Sequence, residues 1–153
     1  RIHLRKLHND IGYILQSQSL APDSDQFKTI YKHFSNMLPS AVQREVDFLR
    51  TYHVDLVIGD IPPAPFRAAQ IVGIPSIGIS NFAWYTAYMS FLDNTELQPL
   101  YNCYVDMDYF FSLAGNDEKG WGHKGNQSFD FFSRSPEMEL YIEFESALTH
   151  LTI

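Results

Sequence analysis

Between Asp55 and Trp84 the chain reads DLVIGDIPPAPFRAAQIVGIPSIGISNFAW, an order of signals that few architectures accommodate. Val54, Leu56, Val57 and Ile58 make a short, almost continuous apolar run rich in β-branched side chains, the pattern of a strand covered on both faces. Gly59 and Asp60 end it. Pro62, Pro63 and Pro65 cannot donate to a sheet ladder but suit a loop and a first helical turn, which predicts a helix from near Ala64 to about Val72. Gly73 stops that helix. Pro75, Ile77 and Ile79 open a second buried strand that closes at Ser80 and Asn81. Two strands joined by so short a helix must run parallel, with a right-handed connection.

That connection brings Asp60 and the Ser80-Asn81 pair to the carboxyl ends of neighbouring strands, where open α/β sheets bind ligands. Asp60, Ser80 and Asn81 are therefore expected to line a polar cleft, with Phe82 and Trp84 as apolar or stacking walls. Each also has an ordinary structural explanation. Asp and Asn turn chains after strands, Asn81 suits the N-cap of a helix starting at Ala83, and Trp84 suits a core.

The 153 residues are expected to form one domain, long enough to bury a core, and 45% of them are hydrophobic. A formal charge of −7 with no basic tract argues against nucleic-acid binding, which needs clustered positive charge to displace counterions. Cys103 is the single cysteine, which excludes an internal disulfide and thiolate-built zinc sites and suits a reducing cytoplasm. No formally charged residue occurs between Arg67 and Asp93, a length that can span a bilayer. Gly73, Pro75, Gly78, Ser80 and Asn81 interrupt it and no basic flank accompanies it, so it reads as buried core instead of a transmembrane segment.

Around this unit the pattern is less regular. Ile2 to about Leu15 predicts a strand, a turn and a second short strand, and the structured-looking start without Met suggests a fragment of a longer chain. Asp25 is a candidate N-cap for the amphipathic stripe Phe27, Ile30, Tyr31, Phe34, Met37, Leu38, Val42, Val46 and Leu49. That stripe is one long helix or two helices meeting at Pro39. Trp84–Leu92 and Glu96–Asp106 are predicted helical, Tyr109–Leu113 a strand, and Met138–Phe144 a strand or connector. Residues 115–128 form a glycine-rich polar segment predicted to be a flexible loop.

The Asp55–Trp84 string, together with DIGYILQSQSLAPD upstream, resembles the amino-terminal domain of two-domain GT-B glycosyltransferases. The similarity points to the lipid-linked N-acetylglucosaminyltransferases of peptidoglycan synthesis and to the glycosyltransferase-like half that precedes the kinase module in plant arabinose kinases. It runs from about Leu7 to Leu92. The resemblance implies a Rossmann-like, three-layer parallel sheet with helices on both faces, an incomplete GT-B half that holds a sugar or lipid-linked acceptor. A second domain outside this sequence would hold the nucleotide-sugar donor. The family's first strand and its glycine-rich loop, which often carries a histidine, would precede Arg1. The chain alone is therefore expected to be inactive.

Transfer needs a base for an acceptor hydroxyl and a partner for the leaving diphosphate. Asp60 is the one carboxylate of the motif at a strand end, expected first as a hydroxyl ligand and second as the catalytic base. Asn81 both donates and accepts, as hydroxyl recognition requires. Asp106-Met107-Asp108 mimics an Asp-x-Asp metal element, but it follows a predicted helix and reads as a solvated helix end. Gly120–Gly125 lacks the Walker pattern, the six histidines show no metal spacing, and no Gly-x-Ser-x-Gly elbow occurs. No metal or cofactor is expected. Two rival readings stand beside the transferase: a non-catalytic carbohydrate- or nucleotide-binding module, and a homo-oligomer formed through an open sheet edge.

Overall fold

A computed structural model of the chain describes residues 4–115, 118 and 120–129. The elements are α1 (Ser24–Thr51), β1 (Val57–Gly59), α2 (Pro63–Val72), β2 (Ser76–Ser80), α3 (Trp84–Tyr88), α4 (Asn94–Tyr104), β3 (Tyr109–Ser112) and β4 (Gly125–Ser128). The four strands form one all-parallel sheet in the order β1-β2-β3-β4. The fold is α/β and Rossmann-like.

The β1-α2-β2 unit follows the sequence signals closely. Pro63 and Pro65 sit in the first turn of α2, whose missing donors would be unpaired there anyway, and Gly73 ends the helix at φ 81° in the left-handed region. Strand order matching chain order, with right-handed crossovers, puts successive connections on one face of the sheet. Residue alternation agrees. Val57, Gly78, Phe110, Ser80 and Ser112 share the face turned toward the helices, where a β-carbon on Gly59 would meet the Phe66 ring of α2. The opposite row holds Ile58, Ile77, Ile79, Tyr109 and Phe111. Helices on both faces are the expectation of the resemblance; among the described residues this second row stays partly open, and Ile58 is 60% exposed.

α1 packs on α2 and α4, outside the helix layer that touches the sheet. It is one helix through Pro39, and its N-cap is Asp23, whose carboxylate accepts the Gln26 N–H, so Asp25 falls in the first turn instead. Asp93 caps α4 with a capping box closed by Glu96, so the helix starts at Asn94, two residues before the predicted start at Glu96.

Residues 4–14 form no strand. A single bridge joins Leu15 to Pro22, and the segment is held by side chains: Tyr88 donates to the Gly12 carbonyl at 3.0 Å and Arg5 pairs with the buried Glu45 of α1 at 2.6 Å. The glycine-rich segment is likewise more structured than expected, because its last four residues form β4, paired residue for residue with β3. The Met138–Phe144 prediction lies outside the described residues. No helix among the described residues is long and apolar enough to cross a membrane.

Candidate functional site

The carboxyl ends of β1 and β2 bring together the residues predicted to bind ligand. Gly59 pairs with Gly78, so Asp60 and Ile61 leave β1 beside Ile79 and Ser80 of β2. Asp60 is exposed, and its carboxylate engages no other described residue. Asn81 is also exposed. It does not cap a helix: α3 starts at Trp84 with Ala83 in the cap position and no side-chain cap.

Ser80 points the other way. Alternation places it on the helix-facing row, where it is 3% exposed, and its hydroxyl has no hydrogen-bond partner among the described residues. Buried hydroxyls are normally paired. Its neighbour across the ladder, Ser112, donates to the Ser128 hydroxyl at 2.8 Å.

Immediately after Asp60 the backbone is strained. Ile61 is buried, β-branched and at φ 53°, a region such residues avoid at a cost of about 1–3 kcal/mol. The Tyr104 hydroxyl donates to the Ile61 carbonyl at 2.7 Å and holds the turn. Burial pushes the Tyr104 phenol well above its ordinary range, so it stays a donor at all working pH values.

Phe82 and Trp84 form a wall by packing on each other, with ring centroids 5.0 Å apart. Trp84 also stacks on Tyr88 at 5.3 Å and meets Tyr13 edge-on at 6.0 Å. Both residues are half-buried, so each contributes to the core and to the surface at once.

Two further residues depart from their sequence readings. Asp108, read as part of a solvated helix end, is buried at 7% exposure. Its carboxylate accepts the Ser76 N–H at 2.9 Å and meets Lys124 Nζ at 2.6 Å, tying the starts of β2 and β4 to β3. Asp106 is half-exposed and pairs with Arg67 across 3.1 Å. No group of three metal-ligating side chains occurs among the described residues. Trp121, read as part of a surface loop, is 7% exposed and packs against Tyr85, Tyr101 and Tyr104. The one available signal was the tryptophan itself, since a large aromatic in a polar loop tends to find a core.

Glu118 completes the crossover between β3 and β4. Its carboxylate accepts the Ala83 N–H at 2.6 Å and the Trp121 indole N–H, which fixes this connection against the start of α3.

No family model and no solved structure matches the chain. Over 95 residues, 60% of its length, the chain is 30% identical to the L-arabinokinase of Arabidopsis thaliana, of which it spans only 9%, so what is shared is a distant homology to one segment of a sugar-related enzyme.

Proposed function

We propose that this chain is the acceptor-binding half of a glycosyltransferase-like protein, and that Asp60 and Asn81 recognise hydroxyl groups of a sugar or lipid-linked sugar acceptor. The strained turn at Ile61 carries the reading. Strain of this kind is retained where the surrounding structure must aim a group, and the group it aims is Asp60. The match to an arabinokinase segment supports a sugar as the ligand class.

In this reading the Asp60 carboxylate accepts hydrogen bonds from acceptor hydroxyls, and the Asn81 amide donates and accepts. Phe82 and Trp84 supply an apolar wall for the C–H face of a sugar ring. Ser80, turned inward and buried, is left out of this recognition surface. A facing domain would hold the nucleotide-sugar donor, which leaves acceptor recognition as this chain's own task. Because no described group orients Asp60 as a base, recognition comes before proton transfer among its roles.

Acceptor titrations of the full-length protein test this, with L-arabinose and N-acetylglucosamine as probes. Asp60→Asn and Asn81→Ala are each expected to weaken binding about tenfold, the loss of one good hydrogen bond to a charged or polar partner. Unchanged affinity and turnover in both variants would sink the assignment.

A further inference from the structure

The aromatic wall at the carboxyl edge extends beyond Phe82 and Trp84. Tyr13, in the segment before α1, lies 6.0 Å from Trp84 and 6.3 Å from each of Tyr88 and Phe91, centroid to centroid. The three interplanar angles are 70°, 87° and 64°, so no described ring lies flat over the Tyr13 face. Tyr13 is 51% exposed.

This ring is held by the backbone on both sides of it. The Gly12 carbonyl accepts the Tyr88 hydroxyl at 3.0 Å, and the Ile14 carbonyl accepts the Asp23 N–H at 2.9 Å. Gly12 itself stands at φ 60°, which lets the chain turn there. A half-exposed aromatic surface already ordered in this way loses little further freedom when it binds. Trp84 is placed differently, because its indole stacks on Tyr88 at 5.3 Å and 25°. Phe82 meets Trp84 edge-on at 83°. The indole thus joins two rings, Phe82 beside Asn81 and Tyr13 farther out, at centroid steps of 5.0 and 6.0 Å.

Steps of this size match the spacing of successive rings in a saccharide. A sugar bonded to Asp60 and Asn81, with its C–H face on Phe82, brings a second, linked ring within reach of Tyr13. We propose that Tyr13 is a specificity-determining residue of the carboxyl-edge site, and that its acceptor is a saccharide of at least two linked rings, the second of which packs on Tyr13. Apolar C–H surface against an aromatic face is the contact that this position offers. The proposal rests on the acceptor reading above and narrows its substrate class.

Matched sugar pairs test it by calorimetric titration of the full-length protein: xylose with xylobiose, N-acetylglucosamine with N,N′-diacetylchitobiose, and glucose with maltose. In at least one pair the disaccharide is expected to bind about tenfold tighter than its monosaccharide. Tyr13→Ala should erase that preference and leave monosaccharide affinity unchanged, which also shows that the variant is folded. Tyr13→Phe, which keeps the ring, should retain the preference, and Asp60→Asn should weaken both members of the pair. The proposal is overturned if no disaccharide binds tighter than its monosaccharide, if the preference survives Tyr13→Ala, or if Tyr13→Phe abolishes it as completely as Tyr13→Ala does. Monosaccharide binding that depends on Asp60, with no disaccharide gain, overturns this proposal alone. If no sugar saturates below about 50 mM, or Asp60→Asn changes nothing, the acceptor reading fails and this proposal with it.

Discussion

Lys124 Nζ lies 2.6 Å from Asp108 Oδ1, while Asp108 Oδ2 accepts the Ser76 N–H at 2.9 Å, so one buried carboxylate joins the starts of three strands. Burial alone would raise the Asp108 carboxyl. The hydrogen bond from Lys124, the Ser76 amide, and the charges of Lys124 and His123 outweigh it and hold the group below the ordinary carboxylate range.

A carboxyl lowered on folding contributes stability above its unfolded pKa and loses it as the pH falls through the folded one. The chain should therefore lose stability as the pH drops below about 4, with Asp108 among the groups responsible. Asp108→Ala, which leaves the Ser76 amide unpaired, should cost about 2 kcal/mol at neutral pH. Urea melts at pH 7 and pH 3 check both points: the gap between wild type and variant should shrink at the lower pH.

Gly122 lies at φ 80°, and a β-carbon there would sit 2.4 Å from the Gly125 carbonyl oxygen and 2.5 Å from the Phe110 nitrogen. Both obstacles are backbone, so neither can swing aside. Gly122→Ala should destabilise the chain by about 3 kcal/mol. Gly120→Ala, with open space around its β-carbon and strain alone to bear, should cost about 1 kcal/mol. Chemical denaturation of the pair separates steric from conformational cost.

Trp121→Ala removes a buried indole from the Tyr85–Tyr101–Tyr104 cluster and should cost about 3–5 kcal/mol. Trp84→Ala, at a half-buried position, should cost clearly less. Equal losses in thermal or urea melts would show that the crossover segment does not belong to the core.

Tyr104→Phe deletes the hydroxyl that holds the Ile61 carbonyl. The expected cost is about 1–2 kcal/mol for a buried carbonyl left without its donor. On the proposed reading, in which this turn aims Asp60 at an acceptor, acceptor affinity should fall as well, although Tyr104 itself is buried. A stability loss without any change in affinity would separate the turn from the site.

Cys103 is buried, and burial pushes its thiol up to about 12, with Arg67 opposing the rise only in part. Alkylation by iodoacetamide at pH 8 should be slow in the native chain, because the thiolate is the nucleophile and is almost absent there. Rapid labelling should appear only in denaturant, followed by mass spectrometry.

What the sequence alone determined is the local grammar of the sheet's first half. Prolines that cannot donate, a glycine that accepts positive φ, and runs of β-branched residues act within a few positions of themselves, so β1, α2 and β2 follow without knowledge of the rest. The placement of Asp60 and Asn81 at adjoining strand ends follows from the same rules. The direction of each side chain, and the role of any residue whose partner is distant in sequence, was decided by tertiary structure. Strand phase turned Ser80 inward. Asp108 became a buried clamp because Ser76, 32 positions away, and Lys124 converge on it. Gly125–Ser128 has almost no intrinsic strand preference, yet it forms β4 because β3 offers a free ladder and the anchored crossover delivers it in register. Composition within a segment carries propensity, but burial and pairing are properties of what the segment meets.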